Sequence, residues 1–344
     1  MRIRMVSPWP TRNNGISTYA DHYRREFERQ GDDVEMERLF FWGRKTDAWK
    51  WLSVLRRCRP GEAVVVQHTP TCSGPFLPWF LGRCRARGVR TVVVSHEIPE
   101  TYARHLSRIP PLRSLYLRYE RDIAKRAGAF VVHTKLHEQA MRELGATDVH
   151  RIPLAILHDP AKVLERRPET IGIYGQIAHK KGHDLLVDAY QRLAPGTLPP
   201  LRVMGAAMPG HEAWLENLKA AVRPEFAQHI RFTGYLSDEE RPDAFARTAF
   251  LVFPYRWISQ SAALSDACAH GVPYLASDLE YFRDFEASWG CGQLFREGDP
   301  VSLAQALQRM SVEHAQIPPS DFEKVRSQLS LAHCTQKLRT LLAP

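Results

Sequence analysis

Short runs of aliphatic and β-branched residues recur along this chain, and amphipathic stretches separate them. In the first half the runs fall at residues 2–7, 34–40, 63–67, 91–95, 130–133 and 149–152, with helical periodicity over 17–29, 48–57 and 112–126. Gly31, Gly61, Gly88, Gly128 and Gly145 each precede a run, where a glycine closes the foregoing helix in the left-handed conformation. From residue 170 the pattern repeats, with runs at 170–174, 201–204, 230–233, 250–253, 274–276 and 292–295. Helical patterns cover 183–193, 211–222, 239–247, 260–270 and 301–310. Strands apolar on both sides, alternating with helices, predict parallel sheets covered on both faces. The fold class is therefore α/β, with two doubly wound domains and a ligand cleft between them. Residues 1–160 form the first domain and 169–320 the second, joined by a proline-bearing linker over 158–168. Residues 321–344 are helical in pattern, with no strand after them.

Composition narrows the class. The 344 residues are 44% hydrophobic and 25% charged, as in ordinary globular proteins. No apolar run approaches the roughly 18 residues of a membrane span, and the first residues form a short charged strand without the apolar core of a signal peptide. Six scattered cysteines lack metal-like spacing and read as reduced thiols, so a cytoplasmic location is expected. The net charge of +9 is lopsided: residues 1–165 hold 28 Lys+Arg against 18 Asp+Glu, or +10, and the remainder −1. Such a patch draws acidic surfaces. Arginines interleaved with Leu112, Leu115 and Leu117 suit peripheral contact with the inner face of a membrane. No nucleic-acid-binding module accompanies the charge.

The candidate chemistry lies at strand ends. In open α/β sheets ligands bind beyond the carboxyl ends of strands, where helix starts offer free N–H groups to anions. The run at 250–253 leads through Arg256, Gln260 and Ser261 into a predicted helix carrying Ala262 and Asp266. A phosphate at that helix start and a ribose diol on Asp266 fit this arrangement, with Arg256 as a further cation. The run at 170–174 ends in Gly175-Gln176, followed by Lys180-Lys181-Gly182, where a lysine can neutralise a diphosphate. Lys181, directly before Gly182, is the better candidate. The first run leads to Asn14-Gly15, where the backbone can approach a ligand. His96 follows the run at 91–95, placed to bond a sugar hydroxyl or move a proton. Asp32-Asp33 sits in a helix-to-strand turn and does not read as a metal pair. No zinc-like cluster, P-loop or nucleophile elbow is present in the sequence.

Taken together, the Asn14-Gly15-Ile16…Tyr19 loop, His96-Glu97, Gly175…Lys181-Gly182, and the block from Asp266 to Pro273 resemble the GT-B glycosyltransferases, most closely the retaining family 4. The resemblance spreads over nearly the whole chain. It implies two Rossmann-like domains, a nucleoside diphosphate sugar held mainly by the second, an acceptor held mainly by the first, and a C-terminal helix crossing back to the first. Four positions depart from the family. In the first loop Asn14-Gly15 stands where Gly-Gly is usual. Gln176 replaces the usual arginine, Ile258 replaces the first of two glutamates, and Asp266 stands for the second. The function implied is retaining transfer of a sugar to an acceptor hydroxyl, without metal or cofactor. Glycans, lipid-linked glycans and small molecules all remain open as acceptors. The alternatives are a decayed GT-B protein serving as a binding module and a nucleotide-sugar epimerase.

Overall fold

A computed structural model of the chain describes residues 1–9, 15–39, 47–69, 73–106, 110–157 and 163–343. They form two compact units, residues 1–157 with 331–344, and residues 158–330.

The first unit holds six parallel strands: β1 (Arg2–Pro8), β2 (Asp33–Leu39), β3 (Ala63–His68), β4 (Arg90–Ser95), β5 (Ala129–Val132) and β6 (Val149–Arg151), in the order β2-β1-β3-β4-β5-β6. Side chains alternate across the sheet, as a strand's two-residue period requires. Val64 and Val66 pack on one face with Trp51, Phe80 and Ile123 from the helices Asp47–Arg57, Leu77–Ala86 and Pro110–Arg126. Ala63 and Val65 pack on the other face with Tyr23 and Phe27 of the helix Gly15–Arg29. Both faces are thereby dry, which explains the apolar runs of the central strands β3, β4 and β5.

The second unit repeats the scheme with β7 (Thr170–Tyr174), β8 (Leu201–Met204), β9 (Ile230–Gly234), β10 (Thr248–Phe253), β11 (Tyr274–Ser277) and β12 (Gly292–Phe295), ordered β12-β11-β10-β7-β8-β9. The two-domain α/β fold class expected from the hydrophobic pattern is the one observed. Among the described residues, no helix is long and apolar enough to cross a membrane.

Two expectations need correction. The segment 321–344 is not one helix. Pro319–Gln328 stays with the second unit and Leu331–Leu342 joins the first. The latter sets Cys334, Leu338 and Leu342, at helical spacing, into the core with Tyr23 and Phe27. Its Arg339 Nε lies 2.8 Å from buried Asp32. Gly128 does not take the left-handed conformation of Gly31, Gly61, Gly88 and Gly145. Glycine is needed there for close approach: a Cβ would lie 2.7 Å from the Thr91 carbonyl oxygen. Of the linker 158–168, residues 158–162 lie outside the described residues. Arg166 is fixed to the second unit by bonds from its guanidinium to the carbonyls of Phe245 and Ala249, both 2.9 Å.

Candidate active site

In the second unit the carboxyl ends of β7 and β10 are stitched together. Gly175 ends β7 with φ +119°, and its N–H donates to Met204 O at 2.9 Å. Gly182, three residues on from His179, has φ +67°, and a Cβ there would lie 1.8 Å from Pro254 O. The backbone N–H of Arg256 donates to Lys180 O at 2.9 Å. The two loops thus run backbone against backbone, which only a glycine at 182 permits.

Ser261 caps the helix Ala262–Ala269, its Oγ accepting from Leu264 N at 3.2 Å. At a helix start the N–H groups of the first residues have no intrahelical acceptor, so Ala262 and Ala263 present theirs outward with the positive end of the dipole. Gly175 sits beside this start. A Cβ on Gly175 would be 4.0 Å from Ala263 Cβ. Gln176 is exposed and Gln260 half-buried at the same loops.

Lys181 is half-buried, with Nζ 3.8 Å from the ring centroid of buried Tyr255. Desolvation lowers its pKa to about 7. The neighbouring Lys180 lies over Trp257 instead, 4.6 Å from the ring. Two lysines adjacent in sequence therefore rest on different aromatic rings, Lys180 on Trp257 and Lys181 on Tyr255.

Arg256, expected as a further phosphate cation, already has partners within the second unit. Its guanidinium forms two bonds to the Asp184 carboxylate, 2.9 and 2.7 Å, and a third to His179 O at 2.6 Å. It braces the lysine loop from outside. Asp266 is buried, with Arg241 Nε 3.4 Å from Oδ2 and His270 Nδ1 3.6 Å from Oδ1. Desolvation raises the Asp266 pKa to about 7, against the pull of Arg241. Arg241 also donates to Tyr174 Oη at 3.2 Å, which ties this pair to the tip of β7. Ile258, at the family's first glutamate position, is half-buried.

In the first unit Asn14 lies outside the described residues. Gly15 opens the helix Gly15–Arg29, and a Cβ there would meet nothing within 4 Å. His96, just past β4, is buried with Nε2 2.7 Å from Gln67 Oε1. Burial first, then the neighbouring His133, His137 and His68, hold its pKa well below the usual imidazole value. At neutral pH His96 is therefore an uncharged hydrogen-bonding group.

The sequence reading missed the company His96 keeps. His68 Nδ1 lies 2.7 Å from Ser73 Oγ and its Nε2 3.1 Å from both Glu120 oxygens. His133, its pKa down to about 4 through burial, donates from Nδ1 to Ile152 O at 2.8 Å. That leaves Nε2 as a bare acceptor. Neither His133 Nε2 nor the amide nitrogen of Gln67 has a hydrogen-bond partner among the described residues. The rings of His96 and His133 are 5.3 Å apart. The signal was faint but present: Gln67-His68, His96 and His133 each stand at the end of a predicted strand.

Two six-stranded parallel sheets, each with its polar residues gathered at the carboxyl ends, define a GT-B fold. Residues 168–312 match the family model for glycosyl transferases group 1, and residues 12–155 that for the glycosyl transferase 4-like domain. The chain belongs to the GT-B glycosyltransferases. LpsB of Rhizobium meliloti, a lipopolysaccharide core biosynthesis mannosyltransferase, is 32% identical over 132 residues, which are 37% of this chain and 34% of LpsB. The chain thus matches about a third of that relative's length. A sucrose-phosphate synthase from Thermosynechococcus elongatus superposes with a TM-score of 0.76 at 15% identity, over 99% of this chain and 98% of that one. Anabaena HepE, solved with UDP and glucose, gives 0.73 at 12% identity over 99% of both chains. At such identities these structures establish the fold alone.

Proposed function

We propose that the protein is a retaining, metal-independent glycosyltransferase, moving a sugar from a nucleoside diphosphate sugar to a hydroxyl of a lipid-linked glycan at the cytoplasmic face of a membrane. One observation carries the donor half: Gly175, the start of the helix Ala262–Ala269, and Lys181 on Tyr255 lie together at the ends of β7 and β10. A diphosphate there meets amide dipoles and one poorly hydrated ammonium. The nucleotide complexes of HepE and the acceptor class in the name of LpsB support donor and acceptor classes respectively.

As the bond from the sugar's anomeric carbon to the leaving phosphate oxygen breaks, negative charge gathers on the diphosphate. Fixed dipoles and Lys181 stabilise it without reorganisation. The acceptor oxygen bonds to the anomeric carbon on the face the phosphate leaves, and its proton passes to the departing phosphate oxygen. No carboxylate nucleophile is then needed, and Asp266 is committed to Arg241. In the first unit neutral His96 would hold a hydroxyl of the transferred sugar. The bare Nε2 of His133 and the amide of Gln67 offer an acceptor and a donor that ligand hydroxyls can answer.

Thermal shift against a panel of UDP- and GDP-sugars, followed by a transfer assay, tests the reading. Specific ligands raise the melting temperature by binding the native state. No shift with any nucleotide sugar would leave a binding module in its place.

Lys181 also dictates how donor affinity changes with pH. The diphosphate of a nucleotide sugar keeps its charge across neutrality, so the lysine sets the trend. With a free pKa near 7 and a higher one beside phosphate, affinity is full below pH 7. It falls by up to about tenfold per pH unit above that, as binding must take up a proton. Calorimetry from pH 6.5 to 9 in buffers of different ionisation enthalpy reads both effects. Lys181→Arg, charged throughout, flattens the profile.

A further inference from the structure

The exposed large apolar side chains of the second unit, Leu164, Tyr235, Val301 and Val312, are scattered. Those of the first unit are Trp9, 48% exposed just past β1, and a gathered set of five on three helices. Trp49 is 72% exposed, Phe76 42%, Trp79 38%, Leu112 49% and Leu115 63%. They sit at the starts of three helices, Asp47–Arg57, Leu77–Ala86 and Pro110–Arg126. These helices pack side by side on one face of the sheet, the middle one touching both others. In a parallel α/β sheet each such helix begins at the carboxyl edge of the strands and runs back. All five side chains therefore lie along one rim, above the strand ends that carry Gln67 and His96.

Charge follows the same direction on every helix. Exposed Arg56 and Arg57 close the first, Arg57 with its guanidinium paired to Glu37 and Glu35 of β2, and exposed Arg83 and Arg85 close the second. On the third, Leu112 and Leu115 give way to exposed Arg118, Arg121, Lys125 and Arg126. Its two carboxylates are drawn away from that face: Glu120 is buried against His68 and Asp122 is half-buried. Three neighbouring helices thus share one polarity, aromatic and leucine side chains at the tip and cations behind. Packing of the sheet does not require this, because the same helices bury a separate stripe, Trp51, Phe80 and Ile123, on the core.

We propose that this rim is a membrane-docking edge, whose occupant is an anionic phospholipid surface. Trp and Leu side chains enter the boundary between headgroups and acyl chains, and the arginines behind them meet lipid phosphates. Charge complementarity favours this occupant over a second copy of the chain. Two copies would set the same cations against each other, and residues 1–165 carry a formal +10. The inference rests on the reading of a lipid-linked acceptor and gives it a place: a glycan rooted in the bilayer would reach the polar strand ends of this unit from the edge that touches the lipid.

The test uses the whole chain in co-sedimentation with vesicles of phosphatidylglycerol and phosphatidylcholine in equal parts, against phosphatidylcholine alone. The expected result is binding to the anionic vesicles at least tenfold tighter than to the neutral ones, weakened by salt. The triple variant Trp49→Ser, Leu112→Ser, Leu115→Ser and the double variant Arg118→Glu, Arg121→Glu should each lose at least tenfold. Their melting temperatures and thermal shifts with the donor should stay unchanged, since these side chains are exposed and distant in sequence from the donor loops. Donor binding and vesicle binding fail independently, so either claim can fall alone. No binding to anionic vesicles, equal binding by the variants, or a wild-type dimer that the triple variant turns to monomer would overturn the proposal.

Discussion

Lys181→Ala should slow glycosyl transfer about 10²–10³-fold, the loss typical of removing one preorganised partner of a developing oxyanion. The fold should survive, because the side chain that goes is a half-buried cation resting on Tyr255, which is itself buried. The lowered pKa gives the sign of the stability change. A lysine held near 7 in the fold and near its ordinary 10.5 in the unfolded chain opposes folding below pH 7, and that opposition fades between pH 7 and 10.5. Alanine removes it, so the variant should melt no lower than wild type at pH 7. Steady-state transfer and a thermal melt on the same preparation check both halves. Activity within a few-fold of wild type would deny Lys181 its role. Arg256→Ala is the informative companion. Its guanidinium already faces Asp184, so its loss should act by loosening the lysine loop and cost less than the loss of Lys181.

Much of this architecture could be read from residue order. The central strands showed as apolar runs, such as Ala63–His68, Arg90–Ser95 and Thr248–Phe253, because both faces of each sheet are dry, whereas β2 carries Glu35, Glu37 and Arg38 between its apolar positions. The helices were harder. Leu77, Phe80, Leu81 and Cys84 bury one face of Leu77–Ala86 at helical spacing, yet Pro75 and Pro78 nearby resemble turn signals. Pro78 stands in the first turn, where its missing N–H costs nothing. The break between Gln328 and Leu331 carries no glycine or proline. Only the competing cores on either side, one taking Val325 and the other Cys334, show where the chain changes unit.

The site was legible to the same depth. Local spacing marked the strand ends and the helix start, since glycine, serine and lysine act there through neighbouring backbone. It could not show pairings across long separations. Arg256 with Asp184 spans 72 residues, and Gln67 with His96 spans 29. A cation that looks free in sequence can thus be spoken for, while a polar cluster that looks scattered can be one buried layer.

Gly182→Ala should destabilise the second unit by about 2–5 kcal/mol. The left-handed conformation costs a residue bearing a Cβ about 1–2 kcal/mol. The new methyl group would also stand 1.8 Å from Pro254 O, and forcing packed groups apart adds roughly 1–3 kcal/mol. An internal comparison separates the two contributions. Gly196 has φ +82° but open space around it, so Gly196→Ala should lose only the conformational share, and Gly15→Ala, with neither constraint, should be neutral. Denaturant unfolding of the three variants, with and without a donor sugar present, gives the ranking. Because Gly182 lets the lysine loop press against the segment leading to Ser261, the damaged variant should also lose donor affinity beyond what its stability explains. Equal midpoints for Gly182→Ala and Gly196→Ala would show that the close approach at Pro254 is not what holds the two loops together.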